Sequence, residues 1–189
     1  MKMRTLEDLF VDELKDVYDA ERRITKALPK MIKAATSEEL SSAFEEHLRQ
    51  TEEHITRLDR IFESMDKAAG RKTCQAMVGL LEEGQSLMEE DATDAVKDAA
   101  LIAAAQKVEH YEIATYGCLR DWAQLLQNDE VARILQQTLD EEGETDKRLS
   151  EIAQSLNVEA AEGMEDEDET EKVPVRAHSG TAKSGSRKR

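Results

Sequence analysis

Apolar residues recur along most of this chain in alternating steps of three and four, the spacing that lines one face of an α-helix. In "TLEDLFVDELKDVYDAERRITKALPKMIKAA", Leu14, Val17, Ile24, Leu28 and Met31 keep that rhythm. Thr5 suits the N-cap of this first helix, with Asp8 three residues on to return a bond. Pro29 lacks an amide hydrogen and is expected to kink the helix or split it near Leu28. A second helix is expected after Ser37, with Leu40, Phe44, His47, Thr51, His54, Leu58 and Ile61 inward and Gly70 as its C-terminal cap. "TCQAMVGLLEEGQSLMEE" reads as a shorter connecting helix, weakened by Gly79 and Gly84. A third long helix, from about Thr93 to Leu126, turns Leu101, Ala105, Val108, Glu112, Thr115, Leu119 and Trp122 inward, and "QND" breaks it. A fourth, from about Asp129 to Leu156, turns Val131, Leu135, Thr138, Glu142, Thr145, Leu149 and Ile152 inward.

Four long helices with a short helix between the second and third predict an all-α, ferritin-like four-helix bundle, because that cross-piece permits a long crossover. Residues 1–157 form the expected bundle. From residue 158 the periodicity dissolves into an acidic block, "EGMEDEDETE", and a small-residue basic end, "RAHSGTAKSGSRKR". Neither can bury enough apolar area to offset the entropy of ordering, so 158–189 is expected to be a disordered tail. His178 lies there and is given no role.

Composition supports helices: aromatic residues are 4% of the chain and proline occurs twice. No apolar run approaches the length of a membrane span, and "MKMRTLEDLF" lacks the apolar stretch of a secretory signal, so no membrane association and a cytoplasmic location are expected. Cys74 and Cys118 are too few and too far apart for a disulfide framework. A net charge of −16 repels nucleic acid and anionic lipid. Such acidity attracts cations, although a solvated acidic surface is its commoner meaning.

The inward stripes contain residues that do not belong in an apolar core. An offset of 91 residues relates the two halves: Val17, Glu21 and Leu28 fall on Val108, Glu112 and Leu119, while Arg57, Leu58 and Ile61 fall on Arg148, Leu149 and Ile152. Glu21 and Glu112 are therefore equivalent, and both face inward. Like charges approaching across a bundle are unfavourable unless a cation or a shared proton lies between them. Di-metal carboxylate bundles take one Glu from each of two helices and Glu-x-x-His from each of the other two. Here the second positions read Thr51-x-x-His54 and Glu142-x-x-Thr145, so four of the six ligand positions are filled, by Glu21, His54, Glu112 and Glu142. Glu109, one turn from Glu112 in "AAQKVEHYEIATYG", is a candidate substitute ligand; so is Asp146, one turn from Glu142. Gln50 could add a weak neutral oxygen, and His47 a supporting hydrogen bond. The bland alternatives are a buried Glu paired with Arg or Lys, a surface pair for Glu109, and a satisfied core histidine at 54. Tyr18 and Tyr116 read mainly as packing residues, with orienting a carboxylate or carrying an electron as the lesser alternative, and His110 points away from the carboxylates.

"AALIAAAQKVEHYEIATYG", "DAERRITKALPKM", "HLRQTEEHITRLDRIFES" and "TLDEEGETDKRL" resemble the helices of YciE/YciF-type ferritin-like proteins. The resemblance spans roughly Thr5 to Leu156. It implies a bundle, often a homodimer, with a di-iron site and a stress-associated role. The acidic positions it carries over are Glu21, Glu109, Glu112 and Glu142. Family members often have Glu where this chain has Gln50, which implies an asymmetric or single-metal site.

Three functions compete. The first is a stress-associated ferroxidase holding iron, two ions per chain, or manganese, since hard oxygen ligands with imidazole suit those metals. The second is a non-catalytic stress-response bundle with a structural, partial or lost metal site. The third, a nucleic-acid-protecting bundle, has only the basic tail in its favour.

Overall fold

In the computed structural model, which describes residues 3–170, the chain forms α1 (Leu6–Ala34), α2 (Glu38–Ser64), α3 (Gln75–Glu89), α4 (Asp94–Leu125) and α5 (Asp129–Thr170). The described residues contain no strand. None of their helices is long and apolar enough to cross a membrane. Two apolar clusters fill the bundle. Phe10, Leu14, Val17, Leu58, Ile61, Leu119 and Leu135 belong to one, and Ile24, Leu28, Leu40, Phe44, Leu101, Ala105 and Leu149 to the other. Chain direction follows from the order in which each helix meets them. α1 and α5 run from the first cluster to the second, and α2 and α4 run from the second to the first. Because α2 and α4 are parallel, the link between them must travel back along the bundle. α3 makes that return, packed on α1 and α4. This is the crossover expected of a ferritin-like bundle.

The helix starts follow capping chemistry. The Thr5 hydroxyl accepts from the Asp8 amide while the Asp8 carboxylate accepts from the Thr5 amide, a capping box. Ser37 Oγ accepts from Leu40 N, Cys74 Sγ from Met77 N, and Asn128 Oδ1 from Val131 N. Asp98, 1% exposed on α4, accepts from the Thr36 amide (2.9 Å), the Ser37 amide (2.7 Å) and the Thr36 hydroxyl (2.8 Å). One carboxylate from the second hairpin thereby holds the turn of the first.

Several sequence expectations change. Pro29 does not split α1, which continues to Ala34. The ring lies on the exposed face, so the helix forgoes one backbone bond there while Leu28 and Met31 stay packed. Gly70 is not the cap of α2. Asp66 takes the left-handed position there (φ 52°), and Lys67 N bonds back to Phe62 O at 3.0 Å. Gly70, at φ 74°, serves the following connection, where its bare Cα lies against the Lys15 side chain. On α4, Thr115 and Trp122 are only half-buried, and Tyr116 and Ala123 take the inward places. Thr145 is half-buried on α5. The last helix does not stop near Leu156 but continues to Thr170, because an established helix propagates through Ala and Glu at little cost. Residues 171–189, with His178, lie outside those described, so the disorder expected there is not addressed.

Two outcomes test this account. Asp98→Ala leaves three donors without their acceptor and is expected to lower unfolding free energy by about 2–3 kcal/mol, read from urea midpoints. Asp98→Asn, which keeps one oxygen, should lose less. Among the described side chains Leu156 is the last that is buried. A chain ending at Ala160 is therefore expected to melt at nearly the temperature of the full chain; a large drop would show that the removed part docks on the bundle.

Candidate metal centre

A layer of polar side chains separates the two apolar clusters. α1 brings Glu21, α2 brings His47, Thr51 and His54, α4 brings Glu109 and Glu112, and α5 brings Thr138 and Glu142, all buried. Each sits where the helical rhythm calls for an inward residue: Glu21 is one turn from Val17 and Ile24, His47 from Phe44, His54 from Leu58, Glu109 from Ala105, Glu112 from Val108 and Thr138 from Leu135, while Thr51 and Glu142 lie two turns from the apolar residues on either side.

The carboxylates and imidazoles converge in two groups. In one, Glu21, His54 and Glu142 each offer an atom within 4.8 Å of the others. In the second, His47, Glu109, Glu112 and Glu142 do the same. His54 Nδ1 is 3.0 Å from Glu142 and 3.6 Å from Glu21, and His47 Nε2 is 3.2 Å from Glu109. Glu142 belongs to both groups.

The five residues expected to converge, Glu21, His54, Glu109, Glu112 and Glu142, all do so. His47, expected only to support, stands in the second group itself. It lies beside Thr145, whose hydroxyl is 3.4 Å from His47 Nδ1 and bonds back to the Glu141 carbonyl at 3.1 Å. Asp146 joins neither cluster, and Gln50 stands beside His47. The Gln50 amide oxygen meets the Thr145 hydroxyl at 3.5 Å on the rim. Asp146 faces outward to Gln106 (3.0 Å) and to the exposed ring of His110 (3.4 Å), the latter turned away as expected.

One support escaped sequence reasoning, and a second was only the lesser reading of its residue. Glu141 accepts two bonds from the Arg57 guanidinium, at 2.6 and 2.8 Å, and lies 2.9 Å from His54 Nε2. That fixes the far side of the imidazole and aims Nδ1 at Glu21 and Glu142. Arg57 one turn after His54, and an acidic neighbour before Glu142, were the available signals. Tyr116, read mainly as packing, donates its hydroxyl to Glu21.

The electrostatics follow from desolvation. Burial first, then the neighbouring carboxylates, pushes Glu109 and Glu112 well above the usual carboxylate range. Glu21 is raised by burial, against the opposing pull of His54. Burial alone would lower His54, but Glu142 and Glu21 beside its ring outweigh it and hold it at about 11. Burial keeps His47 below its ordinary value despite Glu142.

Eight buried side-chain atoms lack a hydrogen-bond partner: Glu21 Oε2, His47 Nε2, His54 Nδ1, Glu109 Oε2, and both oxygens of Glu112 and of Glu142. Among the described residues, every such atom belongs to this layer. Buried polar atoms are normally paired. A set of oxygen and imidazole donors left open on one centre fits a hard divalent cation.

Comparison with known proteins agrees with the fold. Residues 5–162 match the family described as Domain of unknown function (DUF892). Protein YciF of Escherichia coli strain K12 is 46% identical over 154 residues, 81% of this chain and 93% of that one. The crystal structure of that stress protein superposes with a TM-score of 0.80, covering 82% of this chain and 98% of its own. YcfI from Rhodopseudomonas palustris superposes with a TM-score of 0.77 at 43% identity, covering 79% and 95%. A two-domain Anabaena variabilis protein, with DJ-1/ThiJ/PfpI-like and ferritin-like domains, reaches a TM-score of 0.53 at 17% identity, covering 95% of this chain and 42% of its own. That last likeness concerns fold alone.

The raised acids set a pH dependence. Folded, Glu109 and Glu112 keep protons that they lose when unfolded, so the folded state binds more protons and stability falls as pH rises. His54, near 11 folded and about 6.5 unfolded, acts in the same direction above the unfolded value. His47, lowered on folding, opposes this only below that value. The melting temperature of metal-free protein is therefore expected to fall between about pH 7 and 9, and Glu112→Gln should flatten the fall. A rise over this window in chelator-treated protein would contradict it.

Proposed function

This chain belongs to the DUF892 family, the YciF-type ferritin-like bundles, and we propose that its polar layer holds two metal ions, iron in the first instance, in a stress-associated ferroxidase. The carrying observation is the set of eight unpaired donor atoms gathered on one buried centre. Glu21 with His54 supports one position, His47 with Glu109 and Glu112 the other, and Glu142 lies between. Four carboxylates balance the charge of two divalent cations. Bound there, iron supplies one-electron steps to dioxygen or peroxide.

The chain's own residues prepare the site. The Arg57–Glu141 pair fixes the His54 ring, and the Tyr116 hydroxyl fixes Glu21. The two apolar clusters exclude water above and below the layer. Manganese is the alternative metal for the same donors. The reading keeps the homodimer and the cytoplasmic setting expected from the sequence. The presence of Thr51 and Thr145 at two ligand positions favours a second reading, a structural or partial metal site without turnover.

Anaerobic titration separates the two. Ferrous ion is expected to saturate near two per chain, raise the melting temperature by mass action, and oxidise faster than in protein-free buffer when oxygen or peroxide is admitted. Glu112→Ala should abolish the thermal shift and the oxidation together. Saturation at one ion with background oxidation supports the structural reading. A thermal shift that survives the substitution places the ions on the acidic surface instead.

A further inference from the structure

Between α2 and α5 the polar layer continues to the surface. The Thr145 hydroxyl, half-buried on α5, lies 3.1 Å from the Glu141 carbonyl, 3.4 Å from His47 Nδ1 and 3.5 Å from Gln50 Oε1. It has one proton to give, and its own helix takes it at the shortest distance. Its contacts across the seam to α2 are therefore at the outer limit of hydrogen bonding. Behind them stands His47, 3% exposed, with Nε2 unpartnered. In front, Gln50 and Glu144 line both of two surface depressions that meet over this spot. Glu46 stands on one of these, with Arg148, which is already paired with Glu39 at 2.6 Å. Asp140 and Arg133 stand on the other. The remaining approaches are held more firmly. Further along the same seam Arg57 grips Glu141 at 2.6 and 2.8 Å. Gln106 ties α4 to Asp146 (3.0 Å) and Ser150 (2.9 Å) of α5. α3 covers the α1–α4 face, where Tyr111 donates to Asp16 at 2.9 Å. Between α1 and α2 the Tyr18 and Phe62 rings pack at 5.8 Å, with the Arg22 guanidinium over Tyr18.

We propose that a divalent cation enters the metal centre through this seam, passing between Gln50 and Thr145 to His47. Glu46 and Glu144, both exposed, draw the hydrated ion by charge. The Gln50 and Thr145 oxygens then replace part of its water shell. Both are neutral, so they hold the ion weakly enough to release it inward, the requirement for any conducting site. The seam opens by side-chain rotation alone, because the contacts that close it are long and share one proton. The two residues that break the expected ligand pattern thereby gain a use: a carboxylate at position 50 or an imidazole at position 145 would retain the ion at the threshold. The inference deepens the metal-centre reading and rests on it for the ion's destination.

The test mixes the metal-free full chain with cobaltous ion in a stopped-flow cell and follows the visible absorption of the bound ion. Thr145→Val keeps the side-chain shape and removes the hydroxyl. It is expected to slow uptake about tenfold. Chelator-driven release should slow by the same factor, because a barrier on the route changes both rates and leaves the equilibrium affinity alone. Gln50→Leu, on the facing helix, should act alike. Replacing Glu46 and Glu144 together by Gln should slow uptake several-fold at low salt, with the difference lost at high salt. Asp146→Asn, on the α4–α5 face, should leave uptake unchanged. Unaltered uptake in both seam variants would overturn the proposal. So would affinity that falls in step with the rate, or a slowing by Asp146→Asn as large as theirs. A wild-type chain with no cobalt spectrum, or with one that Glu112→Ala leaves intact, removes the metal reading and this route with it. A spectrum lost in Glu112→Ala, with rates unmoved by the seam variants, removes the route alone.

Discussion

Everything in this bundle is arranged around four carboxylates that have lost their water. Glu21, Glu109, Glu112 and Glu142 lie at the middle of a core whose two ends are ordinary apolar packing. Burying an unpaired charge is strongly unfavourable, so each of these groups must hold a proton, face a cation, or be held by a donor. Tyr116 and His54 meet Glu21, and His54 also meets Glu142. Glu112 has no protein donor at all. The apolar ends set the helices at the spacing that brings the acids together, and the acids in turn make that spacing conditional on what neutralises them.

The two hairpins share a skeleton but not a chemistry. Under the 91-residue offset Glu21 matches Glu112, while His54 matches Thr145, Glu142 matches Thr51, and Glu141 matches Gln50. One side keeps an imidazole anchored by Glu141 and Arg57. The other keeps extra carboxylate and borrows His47 from α2. Such asymmetry gives the two groups different charge and different donor atoms.

The helices and the convergent acids were legible because both rest on periodicity. A stripe that includes Glu21 or Glu112 among Val, Leu and Ile states its own anomaly. What escaped notice rests on reach and on relations between helices. Glu141 lies beside the stripe, not in it, and matters only because Arg57 and His54 come to it from α2. His47 was legible as an inward residue of α2, but its approach to Glu109 depends on how α2 and α4 face each other, which a one-dimensional pattern does not carry. Pro29 was misjudged because its burial, not its identity, decides whether a missing amide breaks a helix. The end of α5 was placed early because periodicity reports burial, and helix can continue without it.

The carboxylate of Asp98 has a consequence for the order in which the molecule is made. It grips the amides of Thr36 and Ser37, the latter across 61 residues of chain. On a ribosome, α1 and α2 leave the exit tunnel long before their turn can be fastened. The turn of the leading hairpin therefore lacks this acceptor while α3 and the start of α4 are translated. Vectorial synthesis and the native topology are thus out of step at this one turn, which is fastened only once the second half of the sequence has begun to emerge.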